Sequence, residues 1–173
     1  MAESLILVNG LPGAGKTMLS SLLGQALGVP VLSKDFIKEA LADASSNRLA
    51  SRRLGQIASD AMWQLSAAMP GRVIVESWWY RPRDVDYVLD GIALSETPNV
   101  VEVWCDVPAD LAWKRYLERQ RHQVHPAAIS ETDWASWSTG AVPLGVGRVV
   151  RVDTSFPTSR DALSGLISSI GDF

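Results

Sequence analysis

The run GLPGAGKT at residues 10–17 has the residue types and the spacing of a phosphate-binding loop. Glycines let the backbone curl so that successive N–H groups point at phosphate oxygens, and the helix that begins beside them adds its positive N-terminal end. Lys16 supplies a charge for the β- and γ-phosphates, and the Thr17 hydroxyl is placed to ligate Mg²⁺. The run predicts a site for ATP or GTP with Mg²⁺, formed by Gly10, Leu11, Pro12, Gly13, Ala14, Gly15, Lys16, Thr17 and Met18.

Carboxylates follow two further apolar runs that read as strands. Asp35 opens a helix after the second strand, where it would stabilise the helix dipole and also accept a proton from an attacking hydroxyl. Glu76 closes the third strand, where it would hold Mg²⁺ through water or bond the acceptor; a surface glutamate is the alternative. Lys16 and Asp35 are therefore predicted to be catalytic, and Thr17 and Glu76 to bind the metal.

Aromatic residues come directly after Glu76, at positions 78–80. Exposed rings are costly unless they pack on a ligand or on another part of the chain, so a substrate wall and ordinary core packing both remain open. The predicted substrate residues are Asp35, Phe36, Lys38, Glu76, Trp78 and Trp79.

Two arginines lie four residues apart in a helix-forming stretch later in the chain. Arg115 and Arg119 would share one helical face, stack on the base and neutralise charge on the transferred phosphoryl group. An exposed, salt-bridged helix face is the alternative, because Glu118 is adjacent. Asp153 ends the fifth strand and is predicted to touch the nucleobase or to cap the last helix.

Strands and helices alternate along the chain, and breakers such as Thr97-Pro98 separate them. The apolar runs suit strands buried on both faces of a parallel sheet, and the alternation predicts an α/β three-layer sandwich with ligands beyond the carboxyl ends of the strands. The predicted strands are Ser4–Asn9, Val29–Ser33, Arg72–Ser77, Val100–Cys105 and Arg148–Asp153. The predicted helices are Lys16–Leu27, Lys34–Ala44, Arg48–Met69, Asp84–Leu94, Ala109–Arg121 and Ser159–Ile170.

Residues 122–146 interrupt this rhythm before the last strand. Ser130 or Thr132 would cap one short helix carrying Trp134 and Trp137. We expect a lid over about residues 115–146 within a single domain of residues 1–173; a long surface loop is the alternative.

Composition limits the classes of function. A net charge of −3 over 173 residues argues against a protein that grips nucleic acid, and a lone cysteine excludes an intrachain disulfide or a cysteine cluster for zinc. There is neither a signal-peptide pattern nor an apolar run of the ~20 residues that span a membrane. The sequence thus predicts a cytoplasmic protein without a membrane partner, as a monomer or a small homo-oligomer.

Four stretches, NGLPGAGKT, LSKDFIKEAL, VIVES and VPADLAWKRYLERQRHQVHP, occur in the order seen in small P-loop kinases. The chain resembles the group containing chloramphenicol phosphotransferase, zeta-toxin kinases, gluconate kinase and the kinase half of phage polynucleotide kinase. The resemblance implies a five-stranded parallel sheet in the order 2-3-1-4-5, NTP-dependent transfer to a hydroxyl, a base at Asp35 and lid arginines at Arg115 and Arg119. Glu76 stands where an aspartate is commoner in the group.

The acceptor is expected to be a small molecule, because tryptophans surround the predicted cleft. The leading hypothesis is an antibiotic O-phosphotransferase that confers resistance, acting on chloramphenicol or on a nucleoside antibiotic such as capuramycin. A polynucleotide 5′-hydroxyl kinase and a zeta-toxin or sugar kinase are alternatives. A nucleotide-binding regulatory module is the alternative from another class.

Overall fold

The computed structural model describes residues 2–96, 99–125 and 129–171. Its sheet has five parallel strands in the order β2-β3-β1-β4-β5, as predicted. The strands are β1 (Ala2–Asn9), β2 (Val31–Ser33), β3 (Gly71–Glu76), β4 (Asn99–Asp106) and β5 (Arg148–Asp153). The central strand β1 lies between β3 and β4. The connections on the two sides of β1 therefore run in opposite directions along the sheet, and a crevice is left between them at the carboxyl end of β1.

Helices follow the strands, and several of their ends differ from prediction. The helices are α1 (Lys16–Leu27), α2 (Lys34–Ala44), α3 (Ser51–Ala68), α4 (Arg81–Leu94), α5 (Ala109–Glu118), α6 (Glu131–Gly140) and α7 (Arg160–Ile170). α4 begins earlier than predicted because Pro82 fits the first helical turn. α5 ends at Glu118 instead of Arg121. The predicted breaker Thr97-Pro98 lies outside the described residues.

Alternate residues of β1 build the cores on the two faces of the sheet. Ile6 and Val8 pack with α1, α5, α6 and α7, whereas Leu5 and Leu7 pack with α3 and α4. All four side chains are fully buried, as expected for a strand covered on both faces. Within the described residues, no helix combines the length and the apolar character that crossing a membrane requires.

A third apolar cluster joins α2 and α3 to the chain beyond α5. Ala42 and Leu54 are buried with Val124, and Leu41 packs against them. The contact fixes the position of the segment that follows α5 relative to α2, the helix that begins beside the crevice.

Candidate active site

The phosphate loop packs against α5. Gly13 and Gly15 have φ of 85° and 84°, in the left-handed region that favours glycine. A Cβ on Gly13 would lie 2.1 Å from the Ala112 carbonyl oxygen, so the backbone of α5 leaves no room for a side chain there. The loop closes with a hydrogen bond of 3.0 Å from the Ala14 N–H to the Leu11 carbonyl.

Asn9 and Glu102 form a buried polar network beneath this loop. The Asn9 amide donates to Glu102 at 3.1 Å, and its carbonyl oxygen accepts from the backbone N–H groups of Gly10 (2.8 Å) and Trp79 (3.1 Å). Glu102 also accepts from the N–H groups of Leu144 (2.8 Å) and Gly145 (2.9 Å). The network ties the start of the phosphate loop to the chain after β3 and to the chain before β5.

The Lys16 side chain folds back toward the first residues of the phosphate loop. Its ammonium group donates to the carbonyl oxygens of Gly10 (2.9 Å) and Leu11 (3.0 Å). Burial lowers the pKa of Lys16, and the negative charge of Glu76 opposes that shift. The lysine therefore faces the site as a desolvated charge, which attracts an anion more strongly than a solvated one does.

Glu76 is buried at the end of β3, with 4% of its surface exposed, so the surface-glutamate alternative is wrong. Burial raises the pKa of Glu76, while the Lys16 charge and the Ser33 hydroxyl lower it. Its Oε2 atom is buried without a hydrogen-bond partner among the described residues. A buried oxygen of this kind has the capacity to hold a cation, a metal-bound water or an acceptor group.

Asp35 lines two adjacent depressions in the protein surface. Ser33 caps α2 by accepting from the Phe36 N–H at 3.5 Å, so α2 starts at the carboxyl edge of the sheet. The main cleft has a volume of about 590 Å³ and is lined by the phosphate loop, Asp35, Glu76, Trp78 and the arginines. A second groove of about 540 Å³ runs between α1, β2 and α2, and shares Thr17, Asp35 and Arg119 with the main cleft.

The predicted helical arginine pair is corrected by the structure. Because α5 ends at Glu118, Arg119 has an extended backbone (φ −70°, ψ 126°) and does not share a helical face with Arg115. Both residues still line the cleft. Arg115 donates from Nη1 to the Thr154 carbonyl at 2.9 Å and from Nη2 to the Ser155 carbonyl at 2.6 Å, so it tethers α5 to the loop after β5.

The remaining predicted residues divide between the cleft and other surroundings. Thr17, Met18 and Trp78 line the main cleft, and Phe36 lines the second groove with 73% of its surface exposed. Trp79 is corrected to a core residue, because it is 3% exposed and stacks on Trp63 with ring centroids 6.2 Å apart.

Lys38 and Asp153 do not line the main cleft. Lys38 donates to the Ser51 hydroxyl at 2.9 Å and so joins α2 to α3. Asp153 is exposed and accepts from the Ser155 N–H at 2.8 Å; the hydrogen bonds to Ser155 lower its pKa. Ser159, and not Asp153, caps the last helix.

The region predicted as a lid packs on the body of the protein through tryptophans. Ser130 caps α6, as predicted, by accepting from the Asp133 N–H at 3.0 Å. Trp134 packs on Trp113 with centroids 4.8 Å apart, and Trp137 lies 6.3 Å from Trp78. α6 thereby covers one side of the cleft; its movement as a lid stays a prediction.

Several residues that line the cleft were not predicted from the sequence. They are Lys34, Ser77, Arg83, Tyr116, Arg121, His125, Ile129 and Trp137. Lys34 and Ser77 adjoin strand ends, which is a signal that sequence reasoning could have used. Arg121 and His125 follow the end of α5, and no local pattern shows where that segment goes.

Comparison with known proteins identifies the family. A family model described as an AAA domain matches residues 5–144. The chain belongs to this family. Over 117 residues it is 29% identical to a cytidylate kinase of Methanosarcina barkeri, and the match covers 67% of this chain and 63% of the relative. The chain thus spans less than two thirds of that kinase's length.

Solved structures agree on the fold. A protein of Chloroflexus aurantiacus, described provisionally as a kinase, superimposes with a TM-score of 0.79 and 28% identity over 96% of both chains. A gluconokinase of Sinorhizobium meliloti has a TM-score of 0.62 and 20% identity, covering 95% of this chain and 91% of its own. The chain thus belongs to the AAA-domain family and has the fold of the P-loop kinases.

Proposed function

We propose that the protein transfers the γ-phosphoryl group of ATP or GTP to a hydroxyl group of a small molecule. The observation that carries the proposal is the position of Asp35, whose residue borders both the phosphate-loop cleft and the second groove. A hydroxyl beside this carboxylate would have a proton acceptor on one side and the phosphate loop on the other.

Each group would have a defined task in that reaction. The acceptor oxygen forms a bond to the γ-phosphorus, the bond from that phosphorus to the β-phosphate bridging oxygen breaks, and Asp35 takes the hydroxyl proton. Lys16 and the loop N–H groups bind the phosphates, and Arg119 lies close enough to the site to face the charge on the phosphoryl group.

Mg²⁺ fits this site. Thr17 offers an exposed hydroxyl beside the loop, and the unpartnered Glu76 Oε2 is an oxygen ligand of the kind that magnesium prefers, directly or through water. Bound there with the nucleotide, Mg²⁺ would neutralise charge on the β- and γ-phosphates.

The second groove favours an acceptor that is partly apolar. It is lined by Val29, Val31 and Phe36 beside the small residues of α1, and Phe36 presents an exposed ring next to Asp35. Rings recognise flat apolar groups through stacking and apolar burial. We therefore place antibiotic alcohols, in the manner of chloramphenicol or a nucleoside antibiotic such as capuramycin, first among the acceptors, and antibiotic resistance as the matching role.

A nucleoside monophosphate is the second candidate acceptor. The similarity to a cytidylate kinase favours it, and so does a third depression of about 580 Å³ that adjoins the main cleft. Lys34 and Arg53 line this depression, and cations of this kind bind a phosphate group. Arg83 lines it too, but its guanidinium is paired with the Asp84 carboxylate at 2.7 Å.

A phosphoryl-transfer screen with paired variants tests these acceptors. The protein is incubated with Mg²⁺ and ATP or GTP and with antibiotic alcohols, nucleosides, nucleoside monophosphates, sugars or a 5′-hydroxyl oligonucleotide, and mass spectrometry detects the added phosphate. Phe36→Ala should weaken transfer to an apolar alcohol about tenfold and leave a monophosphate acceptor unaffected, since burying an aromatic face is worth ~1–3 kcal/mol. Arg53→Ala should do the reverse.

The outcomes separate the hypotheses. Transfer that depends on Phe36 supports the antibiotic alcohol, and transfer that depends on Arg53 supports the monophosphate. Phosphorylation of a sugar or of the oligonucleotide would replace both. Tight nucleotide binding without transfer to any acceptor would overturn the proposed function in favour of a regulatory module.

A further inference from the structure

The segment that carries Arg119 and Arg121 runs from the end of α5 to His125 outside any helix or strand. Both arginines line the main cleft, as does His125. Since no helix holds this segment, its contacts with the rest of the chain must determine where the two guanidinium groups lie.

Two imidazoles join the segment to α2. His125 Nε2 lies 2.8 Å from Glu39 Oε1, and His122 Nε2 lies 3.1 Å from Asp43 Oδ1. The carboxylates are four residues apart, on one face of α2, and the histidines belong to one turn closed by a 3.0 Å bond from the His125 N–H to the His122 carbonyl. We name these four residues the histidine clasp.

The hydrogen bonds fix the direction of one half of the clasp. His122 Nδ1 accepts from the Val124 N–H at 3.2 Å, so the neutral imidazole carries its proton on Nε2 and donates it to Asp43. This half of the clasp therefore does not require a charged histidine.

Val124 adds an apolar contact between the two histidines. It is 7% exposed and packs with Ala42 of α2 and Leu54 of α3. A buried valine contributes roughly 1.5–3 kcal/mol relative to an exposed one, enough to anchor a short loop.

The two arginines of the segment have different surroundings. Burial is the main cause of the lowered pKa values of Lys16 and Lys38, and the nearby positive charges of Arg119 and Arg121, respectively, add to it. Arg121 is held by α5, because its Nη1 donates to the Tyr116 hydroxyl at 2.6 Å and its guanidinium lies 4.4 Å over the Tyr116 ring. Arg119 lies near the positive charge of Lys16 and the negative charge of Glu76, so its place at the cleft depends on how the segment itself is attached.

We propose that His122 and His125 are positioning residues, and that the histidine clasp holds the segment that carries Arg119 at the cleft so that this arginine faces the phosphoryl group in transit. The inference rests on the proposed phosphotransferase function. It assigns to α2 a second task besides carrying Asp35: α2 also fixes the opposite, cationic side of the site. Displacements of about 1 Å at such a site cost up to roughly 10²-fold in rate.

The test measures binding of ADP alone and of ADP with aluminium fluoride, a mimic of the transferring phosphoryl group, by titration calorimetry. It therefore needs no acceptor. His125→Ala should reduce the preference for the fluoride complex about tenfold and change ADP affinity less than threefold. His125→Gln, which keeps a donor near the Nε2 position, should recover most of that preference. Gln123→Ala, an exposed change in the same segment, is the matched control.

Each result bears on a different claim. A wild-type protein that binds ADP without preferring the fluoride complex would count against the proposed function itself. A wild-type preference that survives in His125→Ala, or that is lost equally in His125→Gln, would overturn the clasp. If His125→Ala does not fold, Glu39→Gln replaces it, because it weakens the same bond from α2 and should reduce the preference in the same direction.

Discussion

The two sides of the main cleft are built in different ways. The phosphate loop is a run of eight consecutive residues, 10–17, whose glycine conformations and closing hydrogen bond are local. The arginine side depends on partners far away in the sequence: Arg115 reaches across 39 and 40 residues to its two carbonyls, and His125 across 86 residues to Glu39. The phosphate-loop side can be predicted from the sequence because its residues are consecutive. The arginine side cannot, because its contacts join residues that are far apart in the chain.

Asp35 lies between these two sides, and its replacement should have the largest effect. Asp35→Asn keeps the size and the helix start but removes the proton acceptor, so transfer should fall roughly 10²–10⁴-fold while nucleotide affinity is retained. Steady-state rates and nucleotide titration measure the two quantities. Asp110→Asn, an exposed acid at the start of α5, is the control. If the rate of transfer falls less than threefold in Asp35→Asn, Asp35 is not the base.

The fold and the loop were predictable because their signals are local or periodic. Apolar runs such as residues 5–8, bounded by breakers, gave the strands, and the resemblance to P-loop kinases gave the strand order. Trp79 and Arg119 were misassigned because their surroundings depend on tertiary contacts. Trp79 stacks on Trp63, and Arg119 leaves the helix that its spacing from Arg115 implied.

The phosphate loop should tolerate no side chain at Gly13. Gly13→Ala places a Cβ against the Ala112 carbonyl and forces alanine into the left-handed region, so unfolding should require roughly 2–5 kcal/mol less. Chemical denaturation measures the change. Gly165→Ala in α7, where nothing lies within 4 Å of the added carbon, is the matched control and should stabilise slightly. Equal stability of the two variants would mean that the loop can move away from α5.

The arginine side should tolerate change better, because its charge and its tether are separable. Arg115→Lys keeps the positive charge but loses the fork that reaches the Thr154 and Ser155 carbonyls, so we expect a stability loss of about 1–2 kcal/mol. Transfer should fall by less than about tenfold, which is about 1.36 kcal/mol of activation free energy, because the positive charge at position 115 is retained beside the cleft.

A control variant and the size of the loss distinguish a tether from a direct contact. Lys114→Arg, one residue earlier with a side chain that is 69% exposed, should leave both stability and transfer unchanged. If Arg115→Lys instead lowers transfer more than 100-fold at unchanged stability, Arg115 contacts the phosphoryl group itself. Arg115 and Arg119 would then both be direct contacts, and Arg115 would not be only a tether. If stability and transfer fall together and modestly, the loop after β5 is held in place by Arg115, and Arg119 faces the phosphoryl charge.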